Sequence, residues 1–427
     1  MAFILVLEII CAKAEASVVP PSIKRFFCMN DIPWLTIIGM DAGGYASLSP
    51  EAQAVLQDTP TIMAPPRHLA SLPQLSGDQI VWPVPFSEGI EKLLKLRGSR
   101  VVVIFSGDPF WFGAGSQIIQ KLDRREWCAI PAQSCFSLAA AELGWPIEKT
   151  FQLGLHSASF SRLRPYLAVG QKLMVTVRDG ESVNSLNDYL IETGFGDSEL
   201  WVLESLGSAS QNVTKTLAKE KIKRKFQHPL MVGIKVFGSG KVLSQASGLI
   251  DDWFENDGQI TKQPIRALTL SALAPQTGQH LWDLGSGSGS IAIEWLLSGP
   301  SMKATSVEKN SIRAENIYLN AAKLGVDWIE VIESDIMDAL SELDRPDAVF
   351  IGGGFSAESF EKIWKIIPAG TRLVVNGVTI ETDRLIVDCA ENFGGQLLRF
   401  EYSQPKQIGG KSSWKASYPI TQWVVVR

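Results

Sequence analysis

A chain of 427 residues is too long for one ordinary hydrophobic core and natural for two domains. With 45% hydrophobic and 20% charged residues it has the make-up of a folded globular protein, which excludes a disordered or fibrous one. A formal net charge of −5 supplies no global basic field, so the composition argues against nucleic acid as a partner.

Residues 1–16 pair a short apolar run with an A-x-A-like end, as secretory signals do. No basic residue precedes that run, Glu8 interrupts it, and it is too short to span a membrane. Residues 1–30 are therefore expected to be a poorly ordered extension, with Met29 a natural start. The five cysteines (Cys11, Cys28, Cys128, Cys135, Cys389) and four histidines (His68, His156, His228, His280) are dispersed, without metal-ligand spacing. That pattern predicts a cytoplasmic, reducing environment, no metal and no membrane contact.

Strand and helix signals then alternate. Residues 35–39 read as a strand, and Ser49 as the cap of a helix with Pro50 at its first position. Residues 101–105, Val-Val-Val-Ile-Phe, are a buried-strand run that ends in the turn Ser106-Gly-Asp-Pro109. Ser134 opens a helix closed by Gly144 and Pro146, and residues 172–177 form another strand. The charged run 219–225 predicts a solvated face, and residues 230–236 a last strand. A small-residue stretch, 238–248, reads as a linker between domains at 31–237 and 249–427. This alternation predicts an α/β fold with mostly parallel sheets.

In the second half an apolar strand closes on Asp283, and Gly285, Gly287 and Gly289 turn the chain into a helix. Glycines so spaced let the backbone approach a ligand, and the helix start offers unpaired N–H groups. Glu308 ends the next apolar stretch, where it can accept from ribose hydroxyls. Asp335 follows the strand 329–334, where an acid contacts adenine in methyltransferases that use S-adenosylmethionine. Three acids suit this positively charged nucleoside better than a pyrophosphate. The rival dinucleotide reading lacks the third glycine of G-x-G-x-x-G.

The sharpest feature of the first half is Gly107-Asp-Pro-Phe-Trp-Phe-Gly113, followed by the loop 130–134 that leads into the Ser134 helix. Alone, it reads equally well as a tight turn with an aromatic plug or as a ligand loop. With these residues the first half resembles the tetrapyrrole methylase family, whose G-D-P-x-x-x-G motif stands intact. Residues 131–141, Leu143-Gly-Trp-Pro146, Arg178-Asp-Gly180 and Gly194-Phe-Gly-Asp-Ser198 resemble its branch that methylates carbon 5 of a corrin precursor. The second half resembles decarboxylating methyltransferases that act at carbon 15, through Asp257-Gly-Gln-Ile-Thr-Lys262 and the Asp283 glycine loop.

The resemblance implies a tetrapyrrole methylase of two α/β subdomains followed by a Rossmann-like class I methyltransferase domain. It implies S-adenosylmethionine as cofactor, one site per domain. Gly107, Asp108, Gly113 and Ser134 would serve the first site; Gln259 and Thr261 would join Asp283, Gly285, Gly287, Gly289, Glu308 and Asp335 at the second. The implied reaction methylates precorrin-6B at carbons 5 and 15 and removes the ring C acetate carboxyl, giving precorrin-8 in cobalamin biosynthesis. Self-association into a homo-oligomer is also implied. No catalytic base is assigned, because methyl transfer asks mainly for alignment and exclusion of water.

The substrate's acid arms call for basic side chains around a cleft, with Lys262, Arg266, Arg67 and Arg178 as candidates. Three glycines, Gly352 to Gly354, offer room for a macrocycle or form an ordinary turn. Two loops depart from the family pattern: Gly39-Met-Asp-Ala-Gly-Gly44, and Ala64-Pro-Pro66 ahead of Arg67-His-Leu69. An RNA methyltransferase, and a protein whose first domain only binds S-adenosylmethionine, stay open as alternatives.

Overall fold

A computed structural model describes residues 33–220 and 222–427, so the expected extension at 1–30 lies outside the described residues. The chain forms two compact units. One comprises residues 33–157 and Val169–Ser239, the other Ala158–Ala168 and Gly240–Arg427.

In unit 1 the first sheet is wholly parallel, with the spatial order Asp78–Val81, Thr61–Ala64, Val101–Ser106, Leu35–Met40, Trp127–Ile130. Apolar clusters cover both faces, which is why its central strands are continuous apolar runs. Leu35 stands opposite Val101 and Met40 opposite Ser106, so the loops after Met40 and Ser106 leave from one carboxyl edge. Helix Pro50–Gln57 starts as expected, with Ser49 Oγ accepting the Ala52 N–H at 3.2 Å.

The second sheet departs from the parallel expectation. Only Phe151–Gly154 and Lys172–Thr176 run parallel; Leu230–Lys235, Glu199–Glu204 and Asn212–Leu217 continue the sheet antiparallel. The physical reason lies in the connections. A short loop joins Glu199–Glu204 to Asn212–Leu217, and a charged run rather than a helix precedes Leu230, so no crossover is available. Within that run Lys219 pairs with Asp197 at 2.8 Å, and Arg224 reaches the buried Glu204.

Unit 2 is built on a seven-stranded sheet ordered Glu330–Glu333, Lys303–Glu308, His280–Leu284, Ala348–Ile351, Arg372–Gly377, Ile420–Val426, Gln396–Phe400. The first five strands are parallel and the last two antiparallel. Two apolar clusters sandwich this sheet, with Trp295 and Trp423 fully buried among them. The hairpin Ser403–Ile408 and Lys411–Ala416 pairs only with itself and is exposed throughout. The 3₁₀ turn Phe160–Tyr166 also belongs here. Arg162 pairs with Asp327 at 2.6 Å and lies over the Trp328 ring, and Gly325 abuts the Ser161 carbonyl too closely for a Cβ. No helix among the described residues is long and apolar enough to cross a membrane.

A buried ion pair organises the entry to unit 2. Arg266, on helix Gln263–Leu273, is fully buried, and its Nε donates to Glu294 Oε1 at 2.5 Å. Its Nη atoms donate to the carbonyls of Thr261 and Leu249, and both lie 3.3 Å from Asp251 Oδ1. Glu294 in turn accepts the N–H groups of Gly248 at 2.6 Å and Leu249 at 2.9 Å. The expected linker thus ends in fixed structure, with Leu243 and Leu249 in the core. Glu294→Ala removes the closer of the two carboxylates beside the buried Arg266 and leaves it only the longer contacts to Asp251. It is expected to cost about 3–5 kcal/mol in urea unfolding, far more than Glu361→Ala at an exposed pair.

Candidate active sites

Each unit carries a cavity at the carboxyl edge of a parallel sheet. In unit 2 it measures about 1090 Å³ and includes Gln259, Thr261, Gly285, Gly287, Glu308 and Asp335 in its wall. Glu308 closes strand Lys303–Glu308. Its Oε2 accepts the Gly287 N–H at 2.8 Å and its Oε1 the Asn310 N–H at 2.9 Å, which fixes both the acid and the loop. Asp335 caps helix Ile336–Ala339, with Oδ1 accepting from Met337 N at 3.0 Å. Neither acid has a basic partner among the described residues.

The segment bearing Gln259 and Thr261 closes over the glycine loop. Gln259 O would stand 3.6 Å from a Cβ on Gly287, while Asp257 holds the Gln259 N–H at 3.1 Å and Arg313 at 2.8 Å. Gly285 abuts Gly353, whose carbonyl would lie 2.6 Å from an added Cβ. A Cβ on Gly353 would meet only the Gly285 carbonyl, at 4.0 Å, so the loop Gly352 to Gly354 leaves room above the cavity floor.

Two of the expected second-site residues stand behind the wall. Gly289, at φ +72°, caps helix Ser290–Leu297 against Ile317, where a Cβ would meet Ile317 Cγ2 at 2.8 Å. Asp283 is buried beneath the loop. Its Oδ2 accepts the Ala292 N–H at 3.1 Å, and its Oδ1 has no partner among the described residues. Two acids without cations among the described residues and a glycine cradle together fit a cationic nucleoside of the S-adenosylmethionine type.

Asn376, Tyr402, Lys415 and Tyr418 also line this cavity, and sequence reasoning missed them. Asn376 Nδ2 donates to Thr269 Oγ1 at 2.9 Å while its Oδ1 accepts from Gln422 at 2.9 Å, so its amide orientation is set. The available signal was an asparagine ending the apolar run Leu373-Val-Val-Asn376. Of the expected clamps, Arg266 is consumed by its buried network and Lys262 lies 3.5 Å from Asp251.

The cavity of unit 1 measures about 400 Å³. Its wall includes Asp41, Arg67, His68, Gly107, Gln133, Cys135 and His228. Both loops that depart from the family pattern therefore meet it. Asp41 Oδ1 accepts from Gly43 N at 2.8 Å and Ser47 Oγ at 2.5 Å. Of the four expected residues only Gly107 is part of the wall. Asp108 Oδ1 accepts the Phe110 N–H at 2.8 Å, Gly113 packs on the Pro109 carbonyl, and Ser134 caps helix Cys135–Leu143. These three shape the turn and the helix start on either side of the cavity. Among the described residues no cluster of His, Cys, Asp or Glu is placed to hold a metal.

Two family models match the chain, tetrapyrrole (corrin/porphyrin) methylases over residues 35–222 and a precorrin methyltransferase domain over residues 252–427. The precorrin-6Y C(5,15)-methyltransferase [decarboxylating] of Sinorhizobium sp. is 40% identical, with 92% of this chain and 96% of that one aligned. The protein of the same name from Mycobacterium tuberculosis is 34% identical over 92% of this chain and 100% of its own length. A probable cobalt-precorrin-6B C(15)-methyltransferase (decarboxylating) from Pyrobaculum aerophilum is 35% identical, covering 38% of this chain and 85% of its own.

Burial, reinforced by the charge of Glu308, pushes the Asp283 carboxyl up to about 7 from an ordinary 3.8. The folded chain thus holds a proton that the unfolded chain gives up near pH 4, so stability is lost as pH rises through that window. Asp283→Asn keeps an acceptor for Ala292 and cannot ionise. Between pH 4 and 8 its stability relative to wild type is expected to rise by roughly 4 kcal/mol, read from urea midpoints. A parallel pair of profiles would refute the buried titration.

Proposed function

The chain belongs to the precorrin-6Y C5,15-methyltransferase (decarboxylating) family, and from that premise we propose how its two units divide the work. It is a methyltransferase of cobalamin biosynthesis that methylates a tetrapyrrole precursor at carbons 5 and 15 with decarboxylation, and it uses S-adenosylmethionine. In our reading each unit has its own cofactor site. Unit 1 methylates carbon 5; unit 2 methylates carbon 15 and removes the ring C acetate carboxyl, taking precorrin-6B to precorrin-8. We place this work in a cytoplasmic homo-oligomer with no nucleic-acid partner.

The observation that carries the assignment of unit 2 is the pair Glu308 and Asp335. They sit at the carboxyl ends of adjacent parallel strands, without ion-pair partners among the described residues, on one cavity with the glycine loop. Bound S-adenosylmethionine supplies the methyl group as a sulfonium. The chain's residues do the rest. Glu308 accepts hydrogen bonds from the ribose hydroxyls, Asp335 orients the adenine, and the Gln259–Thr261 segment covers the site against water.

The cavity that Gly353 lines admits the face of a macrocycle, and the locked Asn376 amide offers it one further N–H and one lone pair. The nucleophile is an electron-rich ring carbon, held in line by the walls. When the acetate arm loses carbon dioxide, the electron pair passes into the conjugated ring, so the protein's task there is to desolvate and orient the carboxylate.

Incubation with precorrin-6B and methyl-labelled S-adenosylmethionine, followed by mass spectrometry, is expected to give a product with two added methyls and one carboxyl lost. Glu308→Gln should slow the carbon 15 methylation about 10- to 100-fold, through loss of one or two charge-assisted hydrogen bonds, while carbon 5 methylation continues. Equal slowing at both carbons would overturn the division between units. An unchanged mass with active controls would return the RNA methyltransferase and binding-only readings.

A further inference from the structure

Three of the four basic side chains singled out in the sequence have acids beside them. Arg178 lies 3.2 Å from Asp179, Lys262 3.5 Å from Asp251, and Arg266 is held by Glu294 and Asp251. Arg67 has no acidic partner among the described residues, although surrounding protein strips enough water from it to lower its pKa. It faces the cavity of unit 1, with Nη2 donating to Ser106 Oγ and Nη1 lying 3.2 Å from His228 Nδ1.

A guanidinium has donors only, so Nδ1 of His228 must be the acceptor and its ring proton must sit on Nε2. His228 is therefore neutral and presents a second donor. Ser106 Oγ also lies 3.4 Å from Nε2 of the buried His68, which burial and the Arg67 charge push down to about 4, so that ring is neutral too. The acids near this edge are engaged. Asp41 is held by its own loop, and Asp179 accepts from Ser182 N at 2.9 Å besides Arg178. The edge thus carries one guanidinium without an ion-pair partner among the described residues, with donors already oriented, while Asp41 lines the same cavity bound to its own loop.

We propose that Arg67 and His228 form a carboxylate-binding subsite in the cavity of unit 1. The proposal rests on the assignment of carbon 5 methylation to that unit. Two ligands of the reaction bring such a group: an acetate or propionate arm of the tetrapyrrole, and the amino-acid end of S-adenosylmethionine. Each satisfies the donor set in the same way, by accepting from the guanidinium fork and from Nε2–H.

The test uses the full chain, with carbon 15 methylation as an internal control for folding. Arg67→Gln is expected to raise the KM for the tetrapyrrole in the carbon 5 step about 10- to 100-fold, with kcat altered far less, the cost of one lost charge-assisted hydrogen bond. Arg67→Lys should recover part of the loss, because it keeps the charge without the fork. A rise confined to the KM for S-adenosylmethionine also supports the subsite and identifies its carboxylate as the cofactor's. Both KM values staying within about twofold would overturn the proposal. If the wild type methylates carbon 15 but not carbon 5, the assignment of the unit falls, and the subsite is read directly with succinate as probe. A change in the His228 ring-nitrogen resonance that disappears in Arg67→Gln upholds it, and an unresponsive His228 refutes it.

Discussion

Unit 2 depends on the buried pairing of Arg266 with Glu294. The two side chains come from different helices, and between them they hold four main-chain groups at residues 248, 249 and 261. Those groups belong to the segment that carries Gln259 and Thr261 over the glycine loop, and Glu294 sits on the helix that this loop begins. A buried ion pair is weak evidence of net stability, since desolvation offsets much of the attraction. Its value here is positional. Main-chain partners on the covering segment, and not the charge attraction alone, decide where the cavity's upper wall lies.

The same economy of geometry runs through the sites. Glu308 is oriented by two N–H groups of the chain, one of them in the loop beside which a nucleoside would lie. Asn376 is oriented by Thr269 and Gln422, and Asp257 holds both Gln259 and Arg313. Polar groups tied down in this way lose little further freedom when a ligand arrives, which is how a site gains affinity without large contact area. Unit 1 follows a different plan. Its cavity is lined by Asp41, bound to its own loop, and by Arg67 beside two neutral imidazoles.

Much of the fold was legible because local signals and tertiary structure agree. The Ser49 and Ser134 caps and the run of valines at 101–103 each need only neighbouring residues to be understood. The first sheet of unit 1 followed from its apolar runs. The second sheet did not, because strand direction there is set by loops that contain no crossover helix, and periodicity says nothing about direction. Arg266 reads in the sequence as a candidate for the substrate's acid arms. Its burial depends on Glu294 and on carbonyls that only the folded chain brings together. Asp108 and Gly113 carry the recognisable motif, yet they and Ser134 shape the turn and helix start outside the cavity wall of unit 1, while Arg67 and His228, far apart in sequence, meet at it.

The turn Phe160–Tyr166 gives the chain an unusual economy of boundaries. Eleven residues from the first half, Ala158–Ala168, count structurally as part of unit 2, where Arg162 and Arg164 cover the rings of Trp328 and Trp253. A gene cut at the glycine-rich stretch near residue 239 would therefore not yield two whole pieces. The downstream fragment would bring Asp327 and two tryptophans into water, and the upstream fragment would carry a basic, aromatic loop with nothing to cover.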